Sequence, residues 1–125
     1  MRNRFKALLA VVALGSLVPT AVCLHAQEPD TARSAFGACA VCHSIDGSVG
    51  IGPTLKGVVG RKSGMVPGFR YSRAMRTAGV TWDAATLDRY LADPQSVVPG
   101  NVMPFSGVPD SDERARIIAY LISLR

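Results

Sequence analysis

Histidine and cysteine are scarce in this chain, which has two histidines and three cysteines among 125 residues. Cys23 and His25 fall in a segment that is predicted to be removed, so Cys39, Cys42 and His43 would remain. A closed zinc site needs four such ligands, and three are too few. Both remaining cysteines belong to one short motif, so the chain needs no disulfide framework, even in an oxidising compartment.

The chain also lacks an apolar run that could cross a membrane. Its longest run, residues 7–18, is short of the roughly 20 residues that a span needs. Three basic residues precede it, Arg2, Arg4 and Lys6. This pattern predicts a secretory signal peptide over residues 1–26, cleaved after Ala26 or Cys23, and a mature domain over residues 27–125. The leucine usual three positions before a lipid-modified cysteine is missing, which disfavours a lipoprotein, while an uncleaved anchor stays open.

Acidic residues are absent between Asp46 and Asp83, although the whole chain has nine of them against 14 basic residues. Three of the basic residues precede Gln27, so the mature part keeps 11 and its net charge falls from +5 to +2. So small an excess does not suggest nucleic-acid binding.

The motif Cys39-Ala40-Val41-Cys42-His43 is typical of c-type haem attachment. Two thiols at this spacing can form thioethers with the two vinyl groups of one haem, and the adjacent histidine can bind the iron. A thioredoxin-like redox pair would need a βαβ pattern around the motif, and none is visible. The same residues could be half of a zinc site, although a closed site needs four ligands, or could match the motif by chance. Together with the export signal, the motif indicates a bacterial periplasmic protein.

The mature part predicts an all-α fold, with helices joined by loops rich in glycine and proline that wrap one haem. A first helix is expected from Asp30 into the haem motif, a short one over 72–78 with Ser72 as cap, a longer one from Thr81 to Pro94, and a last one from Asp110. Apolar residues recur at helical spacing in the last two helices, Leu87, Tyr90 and Leu91 in one and Ile117, Ile118, Leu121 and Ile122 in the other. No segment alternates convincingly enough to predict a strand.

A six-coordinate haem needs a second axial ligand, and no histidine follows His43. Methionine is the natural candidate because its thioether is soft and favours ferrous iron. Met65, Met75 and Met103 are available. Met75 falls in a predicted helix, where packing is its expected role, whereas Met65 and Met103 lie in loops. Spacing favours Met103 without excluding Met65.

At this point the mature chain resembles class I cytochrome c. The resemblance rests on the haem motif and on a series of shorter matches in the same order. These are Gly52-Pro53-Thr54-Leu55, Gly60-Arg61-Lys62, Pro67-Gly68-Phe69 with Tyr71, Thr81-Trp82, Tyr90-Leu91, Pro99-Gly100, Met103 with Phe105, Glu113-Arg114 and Ile118-Ala119-Tyr120-Leu121.

The resemblance implies roles for individual residues. It makes His43 and Met103 the two axial ligands, and the carbonyl of Pro53 the acceptor that orients His43. It makes Arg61, Tyr71 and Trp82 hydrogen-bond donors to the haem propionates. It places Tyr90 near the axial sulfur.

Three departures from the family pattern stand out. Met75 replaces a common asparagine of the haem pocket, and Asn101 replaces a frequent threonine. Gln95, Ser96 and Val102 occupy positions that are commonly lysine. The docking face, which is the surface around the exposed haem edge, should therefore be less basic than in mitochondrial relatives.

These observations predict a monomeric, soluble electron carrier with one haem c attached through Cys39 and Cys42. Its partners would be membrane or periplasmic redox proteins, with no nucleic acid and no small-molecule substrate. With both axial positions filled, the chain is not expected to be an enzyme. A peroxidase-like or gas-binding haem enzyme, and an electron-entry subunit of a larger oxidoreductase, are the competing hypotheses.

Overall fold

The computed structural model of the protein describes residues 29–125. The predicted signal peptide and its cleavage positions therefore lie outside the described residues. Within the described part the order of elements is α1 (Pro29–Ala35), α2 (Gly37–Ala40), α3 (Arg73–Thr77), α4 (Ala84–Ala92), α5 (Pro94–Val97) and α6 (Ser111–Ser123). None of these helices has the length and apolarity that crossing a membrane requires.

The helices pack around α6, which contacts both α1 and α4, while α5 lies against α4. Their shared core is apolar and contains Phe36, Val58, Trp82, Leu87, Tyr90, Leu91, Val98, Ile117, Ile118 and Leu121. Ile117 is only 2% exposed. Burying side chains of this size supplies most of the stabilisation available to so small a domain.

The long segment between α2 and α3 has no helix and is held by backbone hydrogen bonds to distant parts of the chain. Gly57 N donates to Leu124 O at 2.7 Å, and Gly60 N donates to Trp82 O at 2.9 Å. The only β pairing in residues 29–125 is an isolated antiparallel bridge between Lys62 and Thr81. The all-α prediction is confirmed.

The caps predicted for α3 and α6 are confirmed. Ser72 accepts a hydrogen bond from Met75 N, and Asp110 accepts one from Glu113 N. Pro99 and Gly100 form a turn after α5, with Gly100 at φ +81°. Since this is the left-handed region, glycine suits the position.

Two expectations about helix starts are wrong. Asp30 does not cap the first helix, because it lies within α1, and the helix does not run unbroken into the haem motif because a turn at Phe36 separates α1 from α2. Thr81 does not cap α4; Asp83 does, by accepting from Thr86 N at 2.7 Å. Trp82, which would be the first residue of a helix capped by Thr81, is instead bonded to the preceding loop: its N donates to Arg61 O and its O accepts from Gly60 N, both at 2.9 Å.

Pro94 follows the end of α4, as expected, and it also starts α5, a short helix that the sequence did not predict; a proline fits there because the N–H groups of a first turn have no intrahelical acceptor. One expectation about α6 needs correction. Ile122 does not belong to the buried face of α6: it is 36% exposed, whereas Ile117, Ile118 and Leu121 are buried.

Candidate functional site

A cavity of about 390 Å³ opens between the haem motif and the loop after α5. Its wall is largely apolar, with Phe36, Leu87, Leu91, Phe105, Ile117 and Leu121 among its lining residues. All nine residues singled out from the sequence line it, namely Cys39, Cys42, His43, Pro53, Arg61, Tyr71, Trp82, Tyr90 and Met103. One cavity thus brings together side chains that are up to 64 positions apart in the sequence.

Cys39, in α2, and Cys42, just after it, both line this cavity, and no disulfide joins them. Burial raises the pKa of the Cys39 thiol, and the nearby carboxylate of Glu113 raises it further. A redox-active cysteine needs a lowered pKa, because the thiolate is the nucleophile. The environment of Cys39 therefore argues against the thioredoxin-like alternative.

His43 is held by its Nδ1, which lies 2.7 Å from Pro53 O. Since a carbonyl can only accept, Nδ1 carries the proton and Nε2 is left as the metal-binding nitrogen. Gly52 lies close against the ring, and a Cβ at this position would lie only 2.6 Å from His43 Cε1. Glycine therefore leaves the space that the ring needs. The sequence pointed to Pro53, but the requirement for glycine beside it was missed.

Met103 lies on another part of the wall, where the Tyr90 hydroxyl donates to Met103 Sδ at 3.9 Å. Tyr90 packs edge-on against Trp82, with ring centroids 4.8 Å apart. Burial raises the pKa of Tyr90 to about 12, so its phenol remains a neutral donor at ordinary pH.

The other two methionines differ in position. Met65 is 62% exposed and is not among the lining residues. Met75 does line the cavity and packs against the core. Of the two that reach the cavity, the sulfur of Met103 is the one beside the Tyr90 hydroxyl.

Arg61 and Tyr71 supply the polar part of the wall. Arg61 donates to Thr54 O at 2.8 Å and Lys56 O at 3.2 Å. Burial lowers the pKa of this guanidinium, yet among the described residues the only ion pair joins Arg114 to Asp88. A half-buried cation without a carboxylate partner suits an acidic group on a bound cofactor.

Asn101 makes more contacts than the sequence analysis suggested. It is buried, its Oδ1 accepts from Met103 N at 2.9 Å, and its Nδ2 donates to Val98 O at 3.4 Å. The signal that could have revealed it is its place two residues before the candidate ligand, since Asn side chains commonly bond the backbone two residues on.

These features fit a haem. The donors available in the cavity are an imidazole nitrogen and a thioether sulfur, both known axial ligands, with two thiols for covalent attachment. No group of three or more His, Cys, Asp or Glu side chains within residues 29–125 could hold a bare metal ion.

No protein-family model matches the chain. It is 50% identical over 94 residues to cytochrome c2 iso-2 of Magnetospirillum fulvum, covering 74% of this chain and 98% of that protein. It is 42% identical over 118 residues to cytochrome c2 of Rhodomicrobium vannielii, covering 93% and 94%. The chain belongs to the class I cytochromes c.

A solved structure agrees with this assignment. Cytochrome cH from Methylobacterium extorquens superposes with a TM-score of 0.73 at 44% identity, over 76% of this cytochrome and 97% of that chain. Like its relatives, this cytochrome is an electron carrier and not an enzyme, and members of the family carry one covalently bound haem c. The predicted family, fold, carrier function and cofactor are confirmed, and the enzymatic alternative is not favoured.

Proposed function

We propose that this cytochrome carries single electrons between membrane or periplasmic redox proteins in a bacterial periplasm, after export by residues 1–26. In this proposal Cys39 and Cys42 form the two thioethers, and His43 and Met103 are the axial ligands. The observation that carries the proposal is the convergence of these four side chains on one apolar cavity. Bound haem supplies the reversible one-electron chemistry of its iron between the ferric and ferrous states.

His43 has the task of presenting Nε2 in one fixed orientation. The hydrogen bond from Nδ1 to Pro53 O fixes the tautomer and raises the basicity of the ring. Glycine at position 52 leaves the space that the ring occupies, since a Cβ there would lie 2.6 Å from Cε1. A ligand held this rigidly does not rearrange between oxidation states, which keeps reorganisation small.

On another part of the wall, Met103 offers a soft and uncharged donor. A thioether favours ferrous iron and so raises the reduction potential. The Tyr90 hydroxyl restrains this sulfur and stays protonated because its pKa is about 12. If His43 and Met103 both hold the haem iron, the protein would offer it no open position for a substrate.

Arg61, Tyr71 and Trp82 are the proposed donors to the propionates. All three line the cavity, and Arg61 lacks a carboxylate partner among the described residues. Two buried carboxylates without donors would be costly, so these side chains stabilise the loaded protein.

Docking is proposed at the cavity mouth, where two apolar side chains are strongly exposed. Ile51 is 79% and Val102 76% exposed, and both line the cavity. Exposed apolar side chains beside a redox centre suit a partner surface that is itself apolar at the contact. Arg70 also lines the mouth, so the surface is not free of positive charge.

Spectra of two methionine variants test the ligation. Met103→Ala should abolish the weak methionine-to-iron band of the ferric protein and give a high-spin or water-ligated haem. Met65→Ala should leave the spectrum unchanged because that side chain is exposed and lies outside the cavity. Loss of the band in Met65→Ala alone would refute the assignment. The thioethers are tested separately: haem that extracts into acid acetone cannot be attached through Cys39 and Cys42.

Stopped-flow oxidation of the reduced protein by membranes of the source bacterium tests the docking surface. Salt screens exposed charges beyond about 10 Å at 0.1 M. If apolar contacts carry the docking, the rate should fall only gently as ionic strength rises. A steep fall that disappears in Arg70→Gln and Arg73→Gln would assign the docking to a basic surface instead.

A further inference from the structure

The loop that carries Met103 is long and irregular. Thirteen residues, 98–110, separate α5 from α6 without regular structure. Loops of this length are normally where conformational multiplicity is found. Something specific must therefore hold Met103 in place.

Gln95, on α5, makes two hydrogen bonds to this loop. Its Nε2 donates to Asn101 O at 2.9 Å, and its Oε1 accepts from Gly100 N at 3.0 Å. The two bonds fix the orientation of the amide, because a carbonyl cannot donate and an N–H cannot accept. Both functions of the side chain are used, and a lysine, which has donors but no acceptor, could not replace it.

The loop side of this contact continues to the sulfur ligand. Asn101 is buried, and its Oδ1 accepts from Met103 N at 2.9 Å. Its own backbone N donates to Val98 O at 3.1 Å. One chain of hydrogen bonds thus runs from Gln95 through Gly100 and Asn101 to the backbone of Met103.

We propose that Gln95 is a positioning residue for the Met103 sulfur, which holds the loop closed and so resists displacement of that sulfur by an external ligand. The proposal rests on the proposed ligation by Met103. It gives Gln95 a role inside the protein, where the sequence suggested only a missing lysine on a docking face.

Imidazole binding to the ferric holoprotein measures this resistance, because imidazole can reach the iron only after Met103 leaves. Gln95→Met keeps the length of the side chain and removes both hydrogen bonds. Because two hydrogen bonds that hold the loop closed are lost, imidazole should bind roughly 5- to 150-fold more tightly. Gln95→Glu retains the acceptor for Gly100 N but sets a second acceptor oxygen against Asn101 O, so it should also bind imidazole more tightly.

Two controls separate positioning from general stability. Ser96→Ala removes a hydrogen bond that goes only to Asp93 O, within the same short helix, and should leave imidazole affinity unchanged. Asp83→Ala removes the cap of α4 at the end of that helix away from α5. It should lower the urea midpoint without tightening imidazole binding.

The outcomes are distinguishable from those that test the ligation. If Met103→Ala loses the methionine band but neither Gln95 variant binds imidazole more tightly, the role of Gln95 is refuted while the ligation stands. An equal gain of affinity in Asp83→Ala would also refute it, since the effect would then be general destabilisation. If Gln95→Met fails to accumulate as holoprotein, Gln95→Glu decides the question with the same readout.

Discussion

Replacing Gly52 with alanine would place a methyl group against the ring of His43. The added Cβ would lie 2.6 Å from Cε1, 2.7 Å from Nδ1 and 3.1 Å from Nε2. Ordinary carbon contacts are about 3.5–4.0 Å, so the ring would have to move by roughly 1 Å. The backbone itself offers no obstacle, because Gly52 is not among the glycines with positive φ.

The cost follows from two contributions. Overpacking of a filled site costs about 1–3 kcal/mol. A ring displacement of this size also stretches the 2.7 Å hydrogen bond to Pro53 O beyond its useful range, for about 1 kcal/mol more. We therefore expect Gly52→Ala to lower the free energy of unfolding by about 2–4 kcal/mol.

Urea unfolding of the ferric holoprotein measures this change, and Gly37→Ala is the matched control. A Cβ at Gly37 meets nothing within 4 Å, and the residue lies in α2, so alanine there should be neutral or stabilise by about 0.5–1 kcal/mol. The reduction potential of Gly52→Ala should rise as well, because a ring without its acceptor is a weaker donor to ferric iron. If both variants unfold alike and the potential does not change, the proposed constraint on His43 is wrong.

Three further predictions concern stability. Burial raises the pKa of Tyr90 from 10.0 to about 12, so folding favours the neutral phenol. The resulting contribution to the free energy of unfolding is complete below pH 10 and is lost as the pH rises to about 12. The urea midpoint of Tyr90→Phe should therefore fall less between pH 10 and pH 12 than that of the parent protein. Arg61→Ala and Trp82→Phe should each lower the free energy of unfolding by on the order of 1–3 kcal/mol while both thioethers stay intact. Unchanged thermal unfolding in both variants would favour a surface role for Arg61 and a packing role for Trp82. Ile117→Ala should cost about 2–5 kcal/mol, whereas Ile122→Ser should stay within about 0.5 kcal/mol in the same assay.

The parts that the sequence predicted well depend on local chemistry. The caps at Ser72 and Asp110 act within three residues, so the residue type and its spacing suffice to identify them. The haem motif is likewise complete within five residues. Such features depend little on distant parts of the chain.

The parts that failed depend on tertiary contacts. Thr81 and Asp83 are both good cap residues, and the choice between them is made by a bridge to Lys62 that lies 19 positions away in the sequence. Ile122 is apolar and close to the buried face of α6, yet only the arrangement of α1 and α4 decides where that face ends. Helical periodicity alone cannot supply this information.

The two walls of the cavity are also held differently, which has a measurable consequence. Near His43, backbone bonds link Gly52 N to Cys42 O at 2.8 Å and Leu55 N to Ser44 O at 2.9 Å, within a segment anchored by the covalent motif. Around Met103, the backbone N donates its hydrogen bond to a side chain, Asn101 Oδ1, and not to another backbone group. Segments held by few contacts open at lower free energy than the whole molecule. Native-state hydrogen exchange should therefore show the amide of Met103 exchanging at a lower free energy than those of Gly52 and Leu55, and equal protection on both walls would contradict this asymmetry.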